Sequence, residues 1–584
     1  MSEISVRVGG AAGDGIASVG ETFSRSFSRS GFYTYGHNAY QSVIRGGHVW
    51  FHTRASPEPI YSQGDACDVL YAMDRHTVDI HLPSMSQGST VIFDAEKFAV
   101  AESEMPVGVH LLSVPTLQIA RKYTPQAILQ NAGGMGAAAF VAGIPLATVQ
   151  KVLADSFGRK TGDVVDWNVG AAAEGYKYAS EHTSVNAHAL SGGGAPKLLI
   201  TGNQAIALGA AAAGIKFLAQ YPMTPASTVM QWMAAHSQSI GVVVKQAEDE
   251  LAAINMAIGA SFAGVRSMTA TSGGGFALMV EALGMAGMTE TPVVVVESQR
   301  SGPSTGLPTK TEQGDLNLML GAGQGEFPRA ILAPSNPTEA YHATIRAFQL
   351  AEDWQTPVLV ASDLHLSEDF MTIDRDAISL DVEIPSLFQV EANGNDYKRY
   401  AYTPSGVSPR ALPGQPGLNF IAGSDEHDEK GHLISDVRAG VPLWVAERVK
   451  MMDKRMRKLD GLRAASAPPL VEGDAQPELT FVAWGSTVGA IRDAMKILAG
   501  QGRRTRLVSL PTVFPVHSAD LLPLLSGPGR RLLVEANHSG QLGRLLRAEN
   551  GIEFQDRFLK YDGEPFYPKE IVARALEVMG HVGH

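Results

Sequence analysis

Cysteine is almost missing from this sequence: Cys67 is the only one in 584 residues. A single thiol cannot close an internal disulfide, make a CxxC zinc site, or supply the four thiolates that an iron–sulfur cluster normally takes. Basic residues are in deficit, 47 Lys and Arg against 59 Asp and Glu for a net charge of −12, which argues against a chain built to neutralise nucleic-acid phosphates. Long apolar runs are lacking too. The uncharged stretch Ala132 to Val149 carries four glycines and Pro145 and reads as buried packing, not as a membrane span. No GxxxxGK[ST] phosphate loop occurs. Met1 leads directly into the strand-like Ile4–Val8 run without a charged and apolar leader, so a soluble, cytoplasmic protein is expected.

Glycine is abundant: 61 of 584 residues, about 10% against a usual share of roughly 7%, which suits the tight turns of a nucleotide-type α/β enzyme. The length predicts about four domain-sized units. Strand-like runs alternating with helix-compatible ones up to residue 186 predict a first α/β domain, and Ala187–Pro196 (AHALSGGGAP) reads as a linker. A second doubly wound domain is expected over 197–380, beginning with a strand at Lys197–Thr201 and including a helix opened by Asn336-Pro337. Residues 381–470 read as an irregular insertion plus a connecting helix, Val445–Leu462, whose apolar face should pack on the body and whose basic face should be solvated. The remainder, 471–584, predicts a βαβαβ unit. The fold class is α/β throughout, with several doubly wound parallel-sheet domains.

Candidate chemistry concentrates at strand-to-helix junctions, where open α/β folds place their ligands. Gly9-Gly10-Ala11-Ala12-Gly13-Asp14-Gly15 follows the first strand; it lacks GxGxxG spacing, and a phosphate-type ligand and a plain tight turn are evenly matched readings. Three further junctions lie between Tyr221 and Asp315. They carry Tyr221-Pro222-Met223-Thr224-Pro225-Ala226-Ser227 with Gln246-Ala247-Glu248-Asp249-Glu250, then Ala270-Thr271-Ser272-Gly273-Gly274-Gly275, then the segment from Glu297-Ser298-Gln299-Arg300-Ser301-Gly302-Pro303 to Thr309, in which Glu297 is given no role of its own. Each has a bland explanation alone: acids in a first helical turn complement the helix dipole, and a serine–glycine run makes a turn. Their clustering favours a site.

This block resembles the α subunit of the 2-oxoacid:ferredoxin oxidoreductases, through its YPMTPAS loop, its acid after the next strand, its TSGxG turn and its QRSGPSTGLPT segment. Gly423–His432 and Val534–Leu542 match further stretches of that family, and residues 1–186 resemble its γ subunit. The γ–α order is most similar to 2-oxoglutarate-type members. The resemblance implies a thiamine-pyrimidine-binding domain over 197–380, a transketolase C-terminal-like domain over 471–584, and a γ-type domain that handles coenzyme A.

On that resemblance Glu248 is the carboxylate facing the aminopyrimidine ring of thiamine diphosphate, with Asp249 and Glu250 left as capping residues. Tyr221, Pro222, Thr271, Ser272 and Gly273 line the same cofactor. Thr224 approaches the substrate and Arg300 forks onto a 2-oxoacid carboxylate, while Gly13, Gly15 and Arg45 face coenzyme A. A separate β subunit is implied, carrying Mg2+ and a [4Fe–4S] cluster, in a heterotetramer that reduces ferredoxin in the tricarboxylic acid cycle. The expected reaction is oxidative decarboxylation of 2-oxoglutarate with coenzyme A, or its reverse. The alternatives are pyruvate or a branched-chain 2-oxoacid as substrate, a non-redox thiamine-dependent transferase, and a non-catalytic acyl-CoA-binding scaffold.

No metal site is expected in this chain. Gly13-Asp14-Gly15 with Asn38 lacks the interval of a magnesium–diphosphate motif, and Asp425–His432 reads as a solvated turn. His37, His48 and His52 are expected to pack or hydrogen-bond, and Cys67 to sit in a core.

Overall fold

The computed structural model describes residues 3–41, 46–125, 129–158, 162–183, 190–382, 390, 397–434, 443–527 and 529–580. The start of the Ala187–Pro196 segment and Arg45 lie outside them. Twenty strands form among the described residues: β1 (Ile4–Ala11), β2 (Tyr33–Ala39), β3 (His48–Ser56), β4 (Cys67–Ala72), β5 (Met85–Phe93), β6 (His110–Ser113), β7 (Leu198–Thr201), β8 (Phe217–Gln220), β9 (Val243–Gln246), β10 (Ser267–Thr271), β11 (Val293–Gln299), β12 (Ala330–Leu332), β13 (Pro357–Asp363), β14 (Phe370–Ile373), β15 (Leu470–Gly473), β16 (Leu479–Ala483), β17 (Thr505–Ser509), β18 (Thr512–Phe514), β19 (Arg530–Glu535) and β20 (Asp556–Leu559). They make three sheets within two compact units.

The first unit holds an eight-stranded sheet in the order β6-β5-β4-β1-β3-β2-β14-β7. It is mixed: β1, β4, β5 and β6 run parallel, while β3, β2, β14 and β7 add antiparallel partners. Two expectations change here. The doubly wound parallel reading fits only the half with helical crossovers, and Lys197–Thr201, expected to open the second domain, forms most of the edge strand of this first sheet. The cause is pairing: Leu198–Thr201 finds its ladder on Phe370–Ile373, which in turn pairs with Tyr35 and Gly36. The uncharged stretch packs as expected. Helix Gln130–Val141 lies against helix Gly162–His182 so closely that a Cβ on Gly136 would stand 1.9 Å from the Ala172 carbonyl oxygen. No helix among the described residues is long and apolar enough to cross a membrane.

The second unit contains a seven-stranded sheet, β18-β12-β13-β11-β10-β8-β9, parallel except for β18, and a five-stranded sheet, β15-β17-β16-β19-β20. Buried strands such as Val293–Val296 are continuously apolar, as a sheet covered on both faces requires. Asn336 caps helix Pro337–Trp354, accepting from the Glu339 N–H at 3.0 Å. One core joins the two sheets, with Val295 and Leu359 in the same cluster as Trp484, Val508 and Leu533.

The connecting helix departs from expectation. It forms as Leu443–Met456 and Lys458–Ala465, and its lysines point inward: Lys454 and Lys458 are fully buried, while Val445 and Val449 are exposed. Both ammonium groups reach the buried Glu290 carboxylate, Lys458 at 2.6 Å. Arg455 and Arg448 converge on Glu426, and His427 stacks on Tyr400 with ring centroids 3.9 Å apart. The basic face is therefore split, with Lys454, Arg455 and Lys458 buried and Lys450 and Arg457 exposed; Glu426 and His427 clasp this helix, while Asp425, Lys430 and His432 stay exposed in the surface turn expected.

Candidate active site

The seven-stranded sheet sets the site. From β8 the chain moves outward to β9 and then back across β8 to β10. The strand order reverses between β8 and β10, the crevice where a parallel α/β sheet holds its ligand at the carboxyl ends of the strands. All four sequence blocks leave the sheet at that edge, after β8, β9, β10 and β11.

The acid block divides by burial. Glu248 is exposed, whereas Glu250, in the first turn of helix Glu250–Phe262, is only 3% exposed. Asp249 does cap the helix, accepting from the Ala252 N–H at 2.7 Å. Glu250 does not: its carboxyl turns back to the Thr271 hydroxyl at 3.4 Å, and burial raises its pKa. Gly275 clears the space. A Cβ there would lie 2.4 Å from Glu250 Oε1 and 2.1 Å from Thr271 Oγ1. Glu248 stands open at the carboxyl end of the edge strand β9 in the chain on its own, and Glu250 is the buried acid of the block.

Thr224 and Arg300 are brought together. Arg300 donates to the Thr224 carbonyl oxygen at 2.9 Å, beside the cis Thr224–Pro225 peptide, and Met223 Sδ lies 3.9 Å from Thr271 Oγ1. Arg300 is half-buried, which lowers its pKa, and the carbonyl is its one hydrogen-bond partner among the described residues. Most of its fork is uncommitted. Ser272, at the head of helix Gly273–Met288, has a buried hydroxyl without a partner. Tyr221 and Pro222 are exposed at the rim.

Two further acids went unpredicted. Glu297 ends the apolar run Val293–Val296 and is fully buried, and Asp315 lies against Gly273, where a Cβ would come 2.3 Å from its Oδ2. An acid closing an otherwise apolar strand was a signal available in the sequence.

In the first unit the glycine loop is a turn in which Gly13 and Gly15 take φ of 101° and 80° and the Asp14 carboxylate accepts from the Ala11 N–H at 3.1 Å. A cavity of about 560 Å³ opens beside Gly15, lined also by Arg25, Asn131 and Trp167; Gly13 does not line it. The histidines hydrogen-bond: His37 to Asp369 at 2.9 Å, His48 to His81 at 3.0 Å, and His52 accepts from Arg7 at 3.1 Å. Cys67 is fully buried, which pushes its thiol up to about 11.

Comparison with known proteins agrees with this architecture. Residues 5–178 match the family described as pyruvate ferredoxin/flavodoxin oxidoreductase, residues 208–442 its thiamine diphosphate-binding domain, and residues 470–546 the transketolase C-terminal domain. The chain is 31% identical to the 2-oxoacid:ferredoxin oxidoreductase subunit alpha of a Sulfolobus species, over 98% of this chain and 96% of that one. It is 31% identical to the 2-oxoglutarate synthase subunit KorA of Methanothermobacter thermautotrophicus, over 65% of this chain and 98% of that one. The structure of 2-oxoglutarate:ferredoxin oxidoreductase from Magnetococcus marinus, with 2-oxoglutarate, coenzyme A and succinyl-CoA bound, superposes with a TM-score of 0.92 at 34% identity, covering 99% of this chain and all of that one. With that likeness running nearly end to end, the chain belongs to the 2-oxoacid:ferredoxin oxidoreductase family, as an α subunit with a γ-type domain fused at its N-terminus.

Proposed function

We propose that this chain, with a second subunit, carries out the oxidative decarboxylation of 2-oxoglutarate with coenzyme A, giving succinyl-CoA, carbon dioxide and reduced ferredoxin, or runs it in reverse. The observation that carries the substrate assignment is the full-length likeness to an enzyme whose structure holds 2-oxoglutarate, coenzyme A and succinyl-CoA.

The residues of the switch-point crevice fit thiamine diphosphate. A buried, under-bonded carboxyl at Glu250 suits a ring nitrogen that shares a proton, and Gly275 leaves the notch open above it. When bound, the cofactor supplies the electron sink that lets a 2-oxoacid lose carbon dioxide. Glu248 and Glu250 are the two acids placed to hold the proton at that nitrogen: Glu250 is already buried, and Glu248 lies open in the chain on its own, where the second subunit and the cofactor would cover it. Thr271, Ser272 and Gly273 would line the ring, with Tyr221 and Pro222 at the mouth. Arg300, fixed through one bond to Thr224, offers its remaining donors to the substrate carboxylate.

The second subunit would bring the [4Fe–4S] cluster, which one buried cysteine cannot ligate, and Mg2+ with the diphosphate half, for which this sequence shows no magnesium–diphosphate motif. Coenzyme A is assigned to the γ-type domain, with Gly15 at the head of its cavity. The domains are taken along the sequence as 1–186, 197–380, 381–470 and 471–584, with β7 and β14 of the second segment lent to the first sheet, in the cytoplasm.

The test is reduction of a viologen dye by the purified two-subunit enzyme, supplied with each 2-oxoacid in turn, with and without coenzyme A. Reduction with 2-oxoglutarate only when coenzyme A is present is the expected result. A clear preference for pyruvate overturns the substrate assignment, and group transfer without dye reduction overturns the redox reading.

A further inference from the structure

Glu297 is fully buried, and neither of its carboxyl oxygens meets an N–H or hydroxyl donor. Its one polar neighbour at hydrogen-bond distance among the described residues is the carboxyl of Asp315. Two carboxylates repel at that range, so the contact requires a proton held between them. Asp315 is the half-buried member. Its backbone N–H donates to Gln299 Oε1 at 3.0 Å, and its carboxyl faces Gly273 at the start of a sixteen-residue helix.

The charged groups facing the pair are few. Arg300 and Glu312 face Asp315 from the loop that follows β11, and Asp363 faces Glu297 from β13. Arg300 is the one cation among them, and it forms no ion pair within 4 Å of Asp315; its single bond goes to Thr224. Asp315 therefore acts on Arg300 through space without occupying its fork.

We propose that Glu297 and Asp315 form a proton-sharing pair that positions the charge of the Arg300 site, so that a 2-oxoacid carboxylate arriving at Arg300 drives a proton from solvent onto Asp315. This rests on the assignment of Arg300 to the substrate. A second negative charge beside an ionised Asp315 stabilises its protonated form, and by linkage a protonated Asp315 binds the substrate more tightly. The proton comes from bulk water on binding and returns to it when the carboxylate leaves, so charge balances over the cycle. Burial already pushes Asp315 up to about 6, within reach of the working pH.

The experiment uses the enzyme assembled with its partner subunit. KM and kcat for 2-oxoglutarate are measured from about pH 6 to about pH 8, and proton uptake on binding is counted by calorimetry in two buffers of different ionisation enthalpy. In the parent, KM should rise several-fold across that range, with net proton uptake on binding. Asp315→Asn should flatten the KM profile and abolish the uptake, with kcat responding less than KM. Glu297→Gln, whose amide donates to an ionised Asp315, should move the rise to lower pH, and it carries the test if Asp315→Asn does not fold. A parent that takes up no proton, or an Asp315→Asn profile parallel to the parent's, overturns the proposal. Failure to turn over 2-oxoglutarate would instead count against the substrate assignment, and the same profiles on the preferred 2-oxoacid then decide the role of the pair.

Discussion

Glu248 and Glu250 stand two positions apart at one strand-to-helix junction, and burial separates their chemistry. Only Glu250 sits where the loss of water raises a carboxyl pKa and where Thr271 gives it a fixed direction. Glu250→Gln should abolish turnover, about 100-fold or more for a lost acid–base partner, with the thermal midpoint within a few degrees of the parent. Glu248→Gln is the second arm: retained turnover assigns the proton to Glu250 alone, and a loss of about 100-fold or more assigns it to Glu248, which is exposed in the chain without its second subunit. Steady-state dye reduction and thermal unfolding on both variants check this, and full activity in Glu250→Gln would sink the assignment. At this scale the sequence supplied the junction and the residue types. It could not tell which of three consecutive acids turns inward, because Thr271, the partner that settles it, arrives from a strand 21 residues away.

At the scale of the element, the connecting helix reverses the usual rule that charges face water. Lys454, Lys458 and Glu290 make a buried cluster with more positive than negative charge, since Arg399 also approaches it. Removing the anion leaves two buried ammonium groups unpaired. Glu290→Gln is expected to lower stability by roughly 3–5 kcal/mol, whereas Lys454→Met, which leaves Glu290 paired with Lys458, should stay within about 1–2 kcal/mol of the parent. Equal losses in denaturant unfolding would contradict this reading.

The same cluster sets an acid limit. Burial alone would push the Glu290 carboxyl up, but Lys458, Lys454 and Arg399 outweigh it and hold the carboxyl well below its unfolded value of 4.5. A depressed acid stabilises the fold fully above the unfolded pKa and loses that contribution as pH falls through the folded one. Unfolding midpoints should therefore drop below about pH 4.5 more steeply in the parent than in Glu290→Gln. Helix periodicity gave the length of this element to within a few residues. The buried face escaped it, because the acids that hold it lie far along the chain, Glu290 for Lys454 and Lys458 and Glu426 for Arg455.

At the scale of the whole molecule, one buried thiol cannot ligate an iron–sulfur cluster, so the proposed electron transfer depends on a second subunit. The isolated chain should show no iron–sulfur absorbance after anaerobic reconstitution, and dye reduction should appear only on addition of the cluster-bearing subunit; a cluster on the chain alone would contradict this. The sequence by itself determined the α/β class, the family and the junctions that carry the candidate site. These follow from composition, local spacing and period, which the chain states directly. Tertiary structure alone decided that β7 and β14 complete the first sheet, that Glu250 is the buried acid, that Lys454, Arg455 and Lys458 of the basic helix face inward, and that Glu297 meets Asp315. Each of those outcomes depends on which distant segment removes water from a side chain or completes a strand's ladder, and burial and strand pairing are properties of the partner as much as of the residue.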